Sequence, residues 1–162
     1  MTEARIRAKA LCVFRHHDRI LVNEAFDPVK NERYCRPLGG GIEFGETGVQ
    51  AIVREIDEEL GLAITDVRQL GTLENIFTYL GKPGHEIVLI FDAAFVDRGA
   101  YDRAVLPGCE SDGTPFEARW MTLADLRRTA AHMPLYPDGL LDLLDLLDLL
   151  DLLDLLDAAA AP

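Results

Sequence analysis

No uninterrupted apolar run in this 162-residue chain reaches the ~18 residues that a membrane-crossing helix requires. Even the leucine-rich C-terminal stretch carries an aspartate at every third position, so no membrane partner is expected. The first apolar segment, Leu11 to Phe14, is too short for the core of an export signal, and a cytoplasmic protein is expected. There are three cysteines, Cys12, Cys35 and Cys109, an odd number without CxxC spacing. That disfavours a disulfide framework or a zinc site and leaves buried reduced thiols. Basic residues are also few, 16 Lys+Arg against 28 Asp+Glu, for a formal net charge of -12. Such a surface repels polyphosphate backbones, so nucleic acid is not an expected partner, and an anionic substrate has to be held by cations or a local basic cluster.

The chain does contain 49% apolar residues, the balance of a single soluble domain. Its acidity is unevenly placed. Residues Leu140 to Asp157 are six consecutive Leu-Leu-Asp units, and their aspartates supply half of the net charge. Upstream, Ile6–Phe14 and Ile20–Phe26 read as strands joined by the polar Arg15–Arg19 turn. His16 and His17 are turn residues in this reading, since neighbours there point apart and do not share a metal. Pro28 and Lys30–Arg33 read as a loop, followed by a short apolar piece and Gly39-Gly40-Gly41. Helical periodicity runs from Val49 to Leu60. Strands are expected over Leu70–Leu80 and Ile87–Val96 with Lys82-Pro83-Gly84 as the turn, then a long loop over Arg98–Pro115 and a strand over Phe116–Met121. A short helix opens at Thr122, with a capping-box-like spacing to Asp125. This order indicates an α/β or α+β sandwich with a mixed sheet.

The chemistry is concentrated between Gly39 and Leu62. At 100° per residue, Glu55, Glu58 and Glu59 share one stripe about 100° wide, while Val49, Val53, Ile56 and Leu60 lie towards another face, expected to be buried. Glu55 and Glu59 are like-charged at i,i+4, which opposes the helix unless a cation sits between them. Carboxylate oxygens are the donors that Mg²⁺ or Mn²⁺ selects, and a glycine-rich loop lets backbone groups approach a metal and a diphosphate. No Gly-Lys-Ser/Thr follows the glycines, so this is not a Walker-type phosphate loop.

Gly40-x5-Glu46-x7-Arg54-Glu55-Ile56-x-Glu58-Glu59-x-Gly61-Leu62 resembles the signature of the Nudix hydrolases at every defined position. Such a match arises by chance less than about once in a million chains of this length. The order of strands around it extends the resemblance from about Ile6 to Leu144. The resemblance implies a Nudix α/β/α sandwich and an enzyme, a hydrolase acting on phosphoric anhydrides. Its reaction would be Mg²⁺-dependent cleavage of a diphosphate linkage in a nucleoside diphosphate joined to another group, with (deoxy)nucleoside triphosphates as the first substrate class. Dinucleoside polyphosphates, ADP-ribose, or a sensing role without turnover are the alternatives. It further implies Glu55, Glu58, Glu59 and the Gly39 carbonyl as metal ligands, with Glu46 and Arg54 orienting them. Glu55 is the first choice for the general base. Glu110, in the long loop, is the second, and is otherwise a solvated charge.

Two departures from the family pattern stand out. Pro37-Leu38-Gly39-Gly40 replaces the usual Pro-Gly-Gly entry, and Phe77 and Thr78 stand where ADP-ribose hydrolases often carry proline. Tyr79 resembles a tyrosine of dinucleoside-polyphosphate hydrolases, and otherwise reads as a strand aromatic. Arg33 and Arg36 are candidates for phosphate contact, because a forked guanidinium suits phosphate oxygens. His85 and Glu86 read as strand-edge residues that are able to face the cleft. The expected division is a catalytic domain over residues 1–144 and a low-complexity tail over 145–162, in a monomer or homodimer. A three-residue repeat leaves no clean apolar face on a helix, so the later units read as a neutral extension, while Leu140, Leu143 and Leu144 pack as the domain's last helix.

Overall fold

Alternating apolar residues in the first 41 positions build five strands: β1 (Arg7–Cys12), β2 (Arg15–His16), β3 (Arg19–Asp27), β4 (Glu32–Arg36) and β5 (Leu38–Gly41). The computed structural model describes residues 4–160, so the ends of the expected domain and tail, 1–3 and 161–162, lie outside the described residues. The chain continues with α1 (Gly48–Leu60), β6 (Ile64–Tyr79), β7 (Lys82–Phe95), a 3-10 turn (Arg98–Asp102), β8 (Val105–Cys109), β9 (Pro115–Thr122), α2 (Leu123–Thr129) and α3 (Leu140–Ala160).

The first sheet has the order β5-β1-β7-β6, with β1 and β7 parallel and the outer pairs antiparallel, so it is mixed. The second runs β2-β3-β9-β8, with β4 also paired to β3, and is antiparallel. Ile52 and Ile56 of α1 pack with Ala10, Cys12, Leu38 and Phe91 in one core, and Leu126, Leu140 and Leu144 of α2 and α3 pack with Leu11, Val13, Val88 and Ile90 in another. Sheets enclosed by helices in this way form the expected α/β/α sandwich.

Local chemistry explains where α1 starts and stops. Thr47 accepts from the Gln50 N–H while the Gln50 side chain accepts from the Thr47 N–H, closing a capping box, and Gly61 ends the helix in the left-handed region at φ 65°. Thr122 caps α2 by accepting from the Asp125 N–H, as its spacing suggested.

Four local expectations are corrected. The β6–β7 turn is Leu80-Gly81, where both residues have positive φ, and Lys82-Pro83-Gly84 already belongs to β7. Glu32 and Arg33 lie in β4, not in a loop, because they pair with Asp27 and Phe26. The long loop contains β8, where Pro107 is tolerated because β8 is an edge strand. Only Cys12 and Cys35 are buried, and Cys109 is exposed at the end of that edge.

α3 runs without a break through the expected 144/145 boundary. Leu140 and Leu144 are buried, and the helix is tethered at its start by Arg127 to Asp145 and Arg15 to Asp148. From Leu149 to Leu156 every leucine of the repeat is exposed. Removing residues 149–162 is therefore expected to leave the thermal midpoint within about 2 °C of the intact chain, whereas Leu140→Ala costs about 2–5 kcal/mol by opening a cavity. Thermal unfolding by circular dichroism checks both.

Candidate active site

β5 is a strand almost without side chains, and that property seats the helix carboxylates. It pairs with β1 through Leu11 with Gly39, Ala10 with Gly40 and Lys9 with Gly41. Gly39 has φ 133°, and a Cβ there would stand 2.2 Å from the Ala10 carbonyl oxygen. A Cβ at Gly40 would stand 2.3 Å from the Glu55 carboxylate. The Gly39 N–H donates to Glu59 Oε2 at 3.1 Å. Glu55 and Glu59 thus lie against bare backbone on the edge where α1 meets β5.

This corrects the expected buried face of the helix. Val49 and Val53 are 46% and 42% exposed, while Ala51, Ile52, Ile56 and Glu59 are buried, Glu59 being only 7% exposed. The burial stripe includes a carboxylate because the glycine strand offers it a backbone donor and room. Burial pushes the Glu59 carboxyl up to about 8; Arg36 opposes the rise, Glu110 and Glu55 add to it, and the Gly39 N–H lowers it.

Arg54 organises the rest of the edge. Its Nε and Nη2 donate to both oxygens of Glu46, at 2.8 and 2.9 Å, and Nη2 also donates to the Gly41 carbonyl at 2.9 Å. Nη1 reaches Glu55 at 3.0 Å and Glu58 at 3.2 Å. Hydrogen bonding to Arg54 draws the Glu46 carboxyl down to about 2, and bonding to Glu46 raises Arg54 in turn. With Glu55 and Glu58 held by the guanidinium and Glu59 turned to Gly39, no three of these groups converge on one point among the described residues. The donor set nevertheless suits a hard divalent cation: three carboxylates within two helical turns, one of them buried, against a strand with no side chains in the way.

Beside this edge lies a cleft of about 590 Å³. Asn23, Tyr34, Arg36, Tyr79, Glu110 and Lys9 are among the residues that line it. Arg36 Nη2 donates to Glu110 Oε1 at 2.6 Å, and Asn23 Nδ2 donates to the same oxygen at 3.2 Å. Asn23 is 4% exposed, and its Oδ1 has no hydrogen-bond partner among the described residues. Tyr34 meets Tyr79 and Tyr136 edge-on, with ring centroids 6.4 and 5.6 Å apart. Burial is the main cause that lifts the Tyr34 and Tyr136 hydroxyls to about 12, so both rings are neutral platforms. The acidic edge does not itself line the cleft. Arg36 and Glu110, which act on Glu59, and Lys9, which is within electrostatic reach of Glu55, line the cleft and couple it electrostatically to the acidic edge.

The structure therefore brings Arg36, Tyr79 and Glu110 together, but not Arg33. Strand alternation puts Arg33 on the opposite side of β4 from Tyr34 and Arg36, where it pairs with Glu24 at 2.6 Å. Glu86 lines the cleft, paired to Arg7 at 2.7 Å, while His85 bonds Glu74 outside it. His16 packs against Tyr101 and Trp120, away from the site. Asn23, Tyr34 and Lys9 were not singled out from the sequence. For Tyr34 the signal was the two-residue period through 34 and 36, hidden while that segment was read as loop.

The far end of the cleft is fixed by Asp27, which accepts from the N–H groups of Val29, Lys30 and Leu80 at 2.9, 3.2 and 3.1 Å. Burial works against its charge, but these bonds outweigh it and hold the carboxyl below its ordinary 3.8. A depressed value stabilises the fold above the ordinary value, and that stabilisation is lost as pH falls through the lowered one. Asp27→Asn is therefore expected to be less stable than wild type at pH 7 and to lose the difference as pH falls through the lowered value, as acid titrations followed by fluorescence would register.

Carboxylates gathered on a helix edge over a glycine strand, beside a cleft with cations and aromatic rings, suit a hydrolase acting on phosphoric anhydrides. The family model of the NUDIX domain matches residues 4–139. Solved structures share the fold. The MutT NUDIX hydrolase of Burkholderia pseudomallei is 22% identical, over 74% of this chain and 85% of that one, with a TM-score of 0.55. A NUDIX hydrolase from Nitrosomonas europaea is 18% identical over 87% of each chain, with a TM-score of 0.62. The ORF135 protein of E. coli is 18% identical over 90% of this chain and 92% of that one, with a TM-score of 0.54. The chain belongs to the Nudix family.

Proposed function

We propose that the protein is a Mg²⁺-dependent pyrophosphohydrolase of (deoxy)nucleoside triphosphates, cleaving the diphosphate linkage of a nucleoside diphosphate joined to a further phosphate. The observation that carries this reading is the seating of Glu55 and Glu59 against Gly39 and Gly40, which leaves no room for a side chain at either of those two positions. Glu55, Glu58, Glu59 and the Gly39 carbonyl are the groups that would hold Mg²⁺, or Mn²⁺ in its place. A bound cation supplies a water of lowered pKa and neutralises charge on the departing phosphate.

The remaining roles belong to the chain's own side chains. Glu55 takes the proton of the attacking water. Arg54, anchored by Glu46 and the Gly41 carbonyl, fixes the rotamers of Glu55 and Glu58. Arg36 contacts phosphate, and Tyr34 with Tyr79 provides the surface on which a base stacks. Glu110 is the competing base, and its bonds to Arg36 and Asn23 favour an orienting part instead. Residues 1–144 form the catalytic domain and 145–162 an extension, in a cytoplasmic monomer or homodimer. Tyr79 in the cleft wall favours dinucleoside polyphosphates as the second substrate class.

A panel of nucleoside triphosphates, dinucleoside polyphosphates and ADP-ribose, incubated with Mg²⁺ and resolved by ion-exchange chromatography, tests the reading. Conversion of at least one triphosphate to its monophosphate and pyrophosphate is the expected result. Turnover of ADP-ribose alone, or of nothing by folded protein, would overturn it.

A further inference from the structure

Most cations near the cleft are already engaged. Arg33, which does not line it, pairs with Glu24, Arg7 with Glu86, and Arg36 with Glu110. Lys9 differs: it is half-buried on β1, it lines the cleft, and it makes no ion pair or side-chain hydrogen bond among the described residues. An ammonium partly removed from water without a partner is costly, and an arriving anion relieves that cost. Burial accordingly lowers its pKa from 10.5, with Glu86 opposing the change.

Sheet geometry gives the ammonium its reach. Lys9 pairs with Gly41 across β1 and β5 and with Val88 across β1 and β7. Paired residues present their side chains on the same face, and Gly41 has none. A Cβ at Gly41 would meet nothing within 4 Å, so the four-carbon stem of Lys9 has open space beside it. The charged groups around the ammonium are Glu86, Arg36, Arg7 and Glu55. Of these, Arg36 belongs to the cleft wall and Glu55 to the acidic edge, while Glu86 already has Arg7 at 2.7 Å. Lys9 thus lines the cleft and is within electrostatic reach of both the cleft wall and the acidic edge.

We infer that Lys9 is a substrate-positioning residue whose ammonium holds non-bridging oxygens of the phosphate that lies between the nucleoside cleft and the acidic edge of α1. The inference rests on the pyrophosphohydrolase reading above. A compact ammonium with three rotatable donors suits a phosphate without imposing a fixed geometry, which a paired guanidinium does less freely.

The test compares Lys9→Met and Lys9→Arg with wild type. Isothermal titration with inorganic pyrophosphate in EDTA reads the contact without metal or turnover. Binding by wild type is expected to weaken about 10-fold or more in Lys9→Met and to recover in Lys9→Arg, the change that loss of one charged hydrogen bond gives. With Mg²⁺ and the preferred triphosphate, Lys9→Met should raise KM by a similar factor, while inhibition by the corresponding free nucleoside stays unchanged. Wild-type pyrophosphate affinity and KM in Lys9→Met would overturn the inference. If wild type turns over no nucleotide, the functional reading fails separately, and the titration still decides: binding that depends on Lys9 sustains the inference, and binding that does not, or no binding, overturns it. Lys9→Gln, compared by circular dichroism first, replaces Lys9→Met should the latter not fold.

Discussion

Gly40→Ala is expected to fold normally and to hydrolyse its substrate about 100-fold or more slowly than wild type, the scale of losing a general base from its working position. The added methyl would stand 2.3 Å from the Glu55 carboxylate, the far end of a flexible side chain that yields without disturbing the backbone. Glu55 then leaves the position from which it takes a proton. The neighbouring glycines behave differently. Gly39→Ala forces φ 133° on an alanine and drives its methyl to 2.2 Å from the Ala10 carbonyl, so this variant is expected to lose stability as well as activity. Gly41→Ala meets nothing within 4 Å and should retain both. Thermal midpoints and initial rates for the three variants form one experiment. Equal loss of stability at all three positions would show that the strand matters only as scaffold.

Glu59→Gln is expected to raise stability and remove activity together. Glu59 is buried with its carboxyl lifted to about 8, above its ordinary 4.5. Between those values the folded chain binds more protons than the unfolded one, so this group's contribution falls as pH rises through that window. Glutamine keeps an oxygen to accept from the Gly39 N–H and carries no charge to desolvate. In EDTA at pH 8 the variant should melt at least about 2–4 °C above wild type, the shift that about 1 kcal/mol gives in a domain of this size. Mg²⁺ should raise the midpoint of wild type by mass action and leave the variant unmoved. Differential scanning calorimetry at pH 5 and pH 8, with and without Mg²⁺, reads all of this. A variant less stable than wild type at pH 8 in EDTA would contradict the picture of an uncompensated buried carboxylate.

These residues show how much was legible in the sequence. The glycine run and the Arg54-to-Glu59 cluster are local in sequence, and the spacing within the cluster fixes its carboxylates on one helix edge. The fold class followed from the strand order for the same reason. The buried face of α1 was not legible, because an apolarity rule counts Val49 and Val53 as core and Glu59 as surface. A side-chain-free strand across from the helix reverses that assignment, and only pairing of β5 with β1 reveals it. Arg33 and Arg36 look equivalent until β4 is known to be a strand, whose alternation sends one away from the cleft and the other into it. Asn23 and Lys9 carried no local signal at all. They come from strands of different sheets and acquire meaning from what the sheets place beside them.

The most direct test of the central claim, that the acidic edge of α1 is a cation-dependent hydrolytic centre, is the rate of triphosphate hydrolysis by Glu58→Gln in Mg²⁺. Glu58 is the most exposed of the three carboxylates and bonds only Arg54, so its replacement leaves the core untouched. The account predicts a loss of about 100-fold or more, beyond what an orienting residue alone costs, with an unchanged thermal midpoint in EDTA. A variant as active as wild type would contradict it.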